Sequence, residues 1–183
     1  MIRCWLIVLL LAGCATPPPL TRPVQPEAVP FAMNGRISVK HNGTRDSAGL
    51  RWTHQDTTDE ILLLTPLGQT AARIYRDEAH ATLDNGDQHY SDTDVESLMQ
   101  QVLGWRLQLD HLHHWVLGLT VPGDAMLERD TQGRLTVLRQ DGWEVRYLAY
   151  ADDKANSLPV RMRLTRANLE IILLIDECEW NIK

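Results

Sequence analysis

The sequence predicts a mainly β, α+β domain, an antiparallel sheet with helices packed on one side. Three observations lead there. From Phe31 onward apolar residues recur at every second position, turn dipeptides punctuate the alternation, and two amphipathic helical segments interrupt it.

Phe31, Met33, Gly35, Ile37 and Val39 alternate with polar partners, the period-2 mark of a sheet with one apolar face. Leu50 and Trp52 continue it, residues 61–64 form a short apolar run, and Ala72 with Ile74, then Ala81 with Leu83, extend it. Asn42-Gly43, Asn85-Gly86 and Gln132-Gly133 supply turns. Thr93-Asp94-Val95-Glu96 matches a capping box, and Val95, Leu98, Met99, Val102 and Leu103 follow at helical spacing before Gly104. A shorter helix has Asp110 as its cap, Leu112, Trp115 and Val116 on one face, and Gly118 at its end. Asp141-Gly142 between residues 135–139 and 143–150 is a hairpin signal. Val160, Met162 and Leu164 alternate again, and residues 169–175 close the series.

The N-terminus has a different character. A short head carrying Arg3 leads into an apolar run over residues 4–11, too short to cross roughly 30 Å of hydrocarbon as a helix. It ends in Leu11-Ala12-Gly13-Cys14, which resembles the bacterial lipoprotein signal motif at all four positions. Residues 1–13 are therefore expected to be removed, and Cys14 is expected to carry the lipid. Each buried methylene is worth about 0.8 kcal/mol, so the three chains that such a motif implies anchor a protein permanently. The resemblance to bacterial lipoproteins further implies the outer membrane, with the folded part facing the periplasm, because Ala15 stands where their inner-membrane retention signal would be an aspartate. Residues 14–30 hold six of the nine prolines and read as an extended tether at about 3.1 Å per residue. Residues 31–183 then form a single domain.

Composition narrows the function. Removing Arg3 with the signal leaves 17 of the 18 basic residues against 24 acidic ones. Such a body is a poor ligand for nucleic acid, where phosphate contacts supply most of the affinity. Of three cysteines only Cys178 stays free, so the core holds by burial rather than by a disulfide. Its neighbours Glu177 and Glu179 are expected to raise its pKa and dull its reactivity. No nucleophile elbow or phosphate-cradling glycine loop is present, so an enzyme is not expected. His111 and His114 stand side by side at helical spacing, but zinc needs three or four ligands; they read as a solvated helix face, with no metal and no cofactor.

Two features remain. Trp52, Trp105, Trp115, Trp143 and Trp180 suit either a packed core or the wall of a lipid-holding pocket. Thr65-Pro66-Leu67-Gly68 fits a type I turn, which stands Leu67 at a hairpin tip. Inserted in a bilayer, one leucine is worth about 1.5–3 kcal/mol, too little to anchor and enough to orient a docked domain.

Residues 31–39, Trp52 and Leu63-Leu64-Thr65-Pro66-Leu67-Gly68 resemble the LolB family of outer-membrane lipoprotein receptors. So do Leu103-Gly104-Trp105-Arg106-Leu107, Trp115-Val116-Leu117-Gly118, Gly133-Arg134-Leu135, Asp141-Gly142-Trp143 and Pro159-Val160-Arg161-Met162, in family order. The resemblance implies a curved, unclosed half-barrel sheet lidded by helices over an apolar cavity. It implies acceptance of acylated lipoprotein cargo from the periplasmic carrier LolA and ATP-independent insertion into the inner leaflet of the outer membrane. Cargo, carrier and outer-membrane phospholipids are the implied partners of a monomer. Alternate sheet positions would line the cavity: Met33, Ile37, Trp52, Leu63, Ile74, Trp143, Val145, Tyr147, Met162 and Leu164, with Leu98, Val102, Trp115 and Val116 from the helices. Leu67 matches the family's protruding membrane loop. The ending around Asp176-Glu177-Cys178-Glu179-Trp180 is slightly longer than the family's, which leaves the last strand's register open. The alternative is an envelope scaffold lipoprotein whose tryptophans fill a packed core and whose partners bind its surface.

Overall fold

The computed structural model describes residues 20–182. Cys14, the expected lipidation site, lies outside them. Eleven strands make one antiparallel sheet: β1 (Phe31–His41), β2 (Thr44–Gln55), β3 (Thr58–Leu64), β4 (Thr70–Arg76), β5 (Ala81–Asn85), β6 (Gln88–Asp92), β7 (Met126–Arg129), β8 (Leu135–Gln140), β9 (Trp143–Tyr150), β10 (Pro159–Arg166) and β11 (Leu169–Trp180). Between β6 and β7 come two helices, α1 (Val95–Leu103) and α2 (Leu109–Val116). The strand order is β6-β5-β4-β3-β2-β1-β11-β10-β9-β8-β7. The first and last strands thus meet in the middle, β6 and β7 are free edges, and the curved sheet stays unclosed.

The hairpins follow from local chemistry. Asn42-Gly43 and Asp141-Gly142 both have positive φ at the two central residues, the condition of the tight turns whose twist matches the strands. The register left open at the C-terminus settles on a bulge. Asn34 pairs with Glu177 and Gly35 with Ile175, so Asp176 is the extra residue on β11. Gly35 is required there, because a Cβ would lie 2.0 Å from the Leu174 carbonyl oxygen.

Both helix starts differ from the expected caps. Asp94, not Thr93, caps α1: its carboxylate accepts from Glu96 N (3.0 Å), Ser97 N (3.2 Å) and Ser97 Oγ (2.6 Å). A carboxylate oxygen pair satisfies more orphan donors than one hydroxyl. Asp110 does not cap α2; Gln108 stands at that position without a side-chain bond, and Asp110 turns to Arg76 instead. Gly104 (φ 78°) and Gly118 (φ 70°) end the helices in the left-handed conformation.

One apolar core fills the space between the sheet's inner face and the two helices. The segment expected to be a tether is attached to the domain from Leu20. Leu20 packs on the core, Thr21 bridges Ser157, and Pro26 is buried in a short 3-10 turn, Pro26–Ala28. Its proline content reports an extended backbone, which serves a docked strand as well as a free one.

Candidate functional site: a roofed apolar face with an exposed loop

Side chains on one face of the sheet line up across strands. Leu83, Ile74, Ile61, Trp52 and Met33 are successive cross-strand partners from β5 to β1, and Cys178 continues the row on β11. A second row runs Ile37, Leu173, Met162 and Tyr147, and a third Ile171, Leu164, Val145 and Leu138. Aligned period-2 strands thus merge into a continuous apolar surface. The other face is mostly polar, with ion pairs such as Arg36–Asp176 (2.9 Å) and Arg73–Glu60 (2.7 Å), beside a patch of Leu64, Ile172 and Leu174. Such exposed pairs contribute roughly 0–1 kcal/mol each.

All ten sheet residues expected to line a cavity stand on this inner face, and both helices turn their expected residues toward it. Met33, Trp52, Ile74, Leu98, Trp115, Val116, Trp143, Val145, Tyr147, Met162 and Leu164 are buried; Ile37, Leu63 and Val102 are partly buried against the same core. They belong to one packed apolar cluster. Trp115 meets Trp143 at 6.0 Å between ring centroids, and the Tyr147 hydroxyl donates to the Trp115 carbonyl at 3.0 Å. Burial pushes the Tyr147 pKa up, so it remains a neutral donor. The indole N–H groups of Trp115 and Trp143 are buried without partners. Beside Trp143 a cleft of about 660 Å³ opens at the rim, lined also by Ala125, Met126, Thr165 and Arg166.

Beneath the N-terminal end of α2 lies a polar cluster that the sequence did not reveal. Asp59 is 1 % exposed and accepts from Trp52 Nε1 (2.7 Å), His54 Nδ1 (2.8 Å) and Arg76 Nε (2.7 Å). Arg76 reaches on through Nη2 to Asp110 of α2 at 2.6 Å. Burial pushes the Asp59 carboxyl up, but the His54 hydrogen bond and the Arg76 charge outweigh it and hold its pKa below the usual value. His113 is buried too, its ring 4.0 Å from that of His54 and 5.6 Å from that of Phe31. Burial first, then His54 and His114, pushes its pKa down to about 4. The middle histidine of the group therefore faces the core. No group of three metal-ligating side chains occurs among the described residues. One signal was available: Asp59 shares parity with Ile61 and Leu63, so it had to face inward.

At the β3–β4 turn, Gly68 N donates to the Thr65 carbonyl (2.9 Å) and Thr65 N to the Gln69 carbonyl (2.8 Å). Gly68 takes φ 79°, and Leu67 is 87 % exposed at the tip. Cys178 is half-buried, and burial first, then Glu179, pushes its thiol up to about 12.

The chain is similar to proteins of known kind over nearly its whole length. The family model described as outer membrane lipoprotein LolB matches residues 29–180. The outer-membrane lipoprotein LolB of Azoarcus sp. (strain BH72) is 36% identical over 173 residues, covering 93% of this chain and 90% of that one. That of Nitrosomonas europaea is 36% identical over 200 residues, covering 99% and 94%. Among solved structures, a DUF1329 family protein from Desulfovibrio piger shares the fold, with a TM-score of 0.50 at 6% identity over 85% of this chain and 86% of that one. The chain belongs to the LolB family of outer-membrane lipoproteins.

Proposed function

We propose that this protein, anchored in the outer membrane through a lipid on Cys14, receives acylated lipoproteins from the carrier LolA and inserts them into the inner leaflet. The observation that carries the reading is the broad apolar face of an unclosed sheet, interrupted at one end by the Asp59 cluster and roofed by two short helices. Acyl chains need a large, non-directional apolar surface, and this face offers one. Because face and roof are packed together, α1 and α2 must move off to admit the chains. Moving them into water costs about 25 cal/mol per Å² of apolar surface exposed, whereas moving them off onto an arriving acyl chain exchanges one apolar contact for another. The site therefore opens toward cargo and stays shut without it. No nucleotide and no covalent step is needed; each transfer runs toward larger burial of the same chains, ending in the bilayer. Phospholipids of the leaflet meet the domain through Leu67, whose insertion would orient it for release. The protein works as a monomer, with its one roofed face serving one cargo at a time.

A soluble form starting at residue 15 tests this. It is expected to take an acylated lipoprotein from its carrier in a pull-down and to leave the non-acylated form behind. Equal capture of both would favour the scaffold reading, in which partners bind the surface.

A further inference from the structure

The two ends of α2 are fastened by different arginines. Arg76 holds Asp110 at the start. At the other end Arg22, from the N-terminal segment, donates through Nη1 to the Leu117 carbonyl (2.8 Å) and the Gly118 carbonyl (3.4 Å), and through Nη2 to the Ala155 carbonyl (3.2 Å). Its backbone is held as well: Arg22 N donates to Asn156 O (2.9 Å) and Leu158 N to Leu20 O (3.0 Å). We propose that residues 20–30 form a releasable strap, with Arg22 as its clasp on the C-terminal end of α2, and that freeing this clasp is what lets α2 lift from the sheet. The proposal rests on the reading that α2 covers the acyl site.

The chemistry of the clasp is that of a reversible contact. A cation suits the carbonyl end of a helix, where the macrodipole is negative. Yet Arg22 makes no ion pair with a carboxylate among the described residues, and its Nε is buried without a partner. Burial accordingly pushes its pKa down. Burying a charge with only neutral carbonyls around it leaves much of its desolvation uncompensated. The seat itself is shaped for the guanidinium, since a Cβ on Gly118 would come within 3.3 Å of Nη1 and 3.2 Å of Pro159 Cγ. Beyond the clasp Val24 is wholly exposed, and the segment next meets the domain at buried Pro26. Only residues 15–19 separate Cys14 from Leu20, at most about 20 Å of chain. Displacement of the domain relative to its anchor therefore acts first on the Leu20 and Thr21 contacts and next on the clasp.

Hydrogen–deuterium exchange on the full-length acylated protein in phosphatidylethanolamine/phosphatidylglycerol liposomes tests the clasp. Arg22→Gln is expected to speed exchange over residues 109–118 and 20–22 by about tenfold, the loss of one charge-assisted bond, with β1 and β11 unchanged. Arg22→Lys, which keeps the charge but not the fork, is expected to fall between the two and serves if the first variant folds poorly. Faster exchange in the strap with α2 unchanged overturns the proposal, as does an equal rise across β1 and β11. Uptake of a fluorescent palmitate analogue, followed in parallel, is expected to quicken in Arg22→Gln. If α2 loosens and uptake does not change, the strap stands and the acyl-binding reading fails.

Discussion

The start and the end of α2 are built on opposite principles. At its start, Asp59 is a buried carboxylate with three donors, one of them an arginine that also grips the helix. One arginine there bridges two carboxylates, Asp59 and Asp110. At its end, Arg22 reaches neutral carbonyls and meets no carboxylate among the described residues. The difference teaches where this helix can hinge. A satisfied buried ion network is costly to break because removal of one member strands the rest, whereas an uncompensated cation is already partly paid against by its own desolvation. The roof is thus held at its start by buried His113 against His54 together with the Arg76–Asp110 pair, and releasable at the Gly118 end.

The largest effect is expected from Asp59→Ala, which leaves Arg76 Nε, His54 Nδ1 and the Trp52 indole N–H without their acceptor. A loss of about 3–5 kcal/mol in urea unfolding is expected; a loss under 1 kcal/mol would mean that the network does not hold the fixed end. Acid should reach the same end next. Because His113 has a folded pKa of about 4, below its ordinary 6.5, the unfolded chain takes up the proton first as pH falls. Its contribution is present above pH 6.5 and is lost between about 6.5 and 4, at most about 3 kcal/mol. Below that, Asp59, whose folded pKa is depressed, loses its contribution as it protonates. His113→Phe should flatten the upper part of this profile, and an unaltered slope would remove His113 as its source.

Arg22→Gln is expected to change global stability by only about 1 kcal/mol, since what it removes is weakly compensated; a loss as large as that of Asp59→Ala would erase the contrast between the two ends. Smallest in stability is Leu67→Glu, expected within about 0.5 kcal/mol of the parent because the side chain touches little protein. It should still accept cargo and fail to insert it into liposomes. Normal insertion by that variant would leave the loop without a special role.

Much of the sheet was legible from alternation, because one face is buried along long central strands. Edge strands β6 and β7 were not, since Gln88–Asp92 and Met126–Arg129 are exposed or nearly so on both faces and leave no period. The inner-face residues could be chosen by parity alone, but parity cannot say whether they line a void or pack under helices. His113 was hidden by the neighbours at 111 and 114, which drew the eye to a different helix face. Arg22 had no local signal at all, because its partners lie about a hundred residues away in sequence, in carbonyls that no side-chain pattern records.

The central claim is that the inner face takes the acyl chains, and adjacent positions on one strand test it most directly. A photo-crosslinking residue placed at Val145 faces inward, and one at Arg146 faces out. During transfer of an acylated lipoprotein, crosslinks to its lipid are expected from position 145 and not from 146. Crosslinks of equal yield from both, or from 146 alone, would contradict the account.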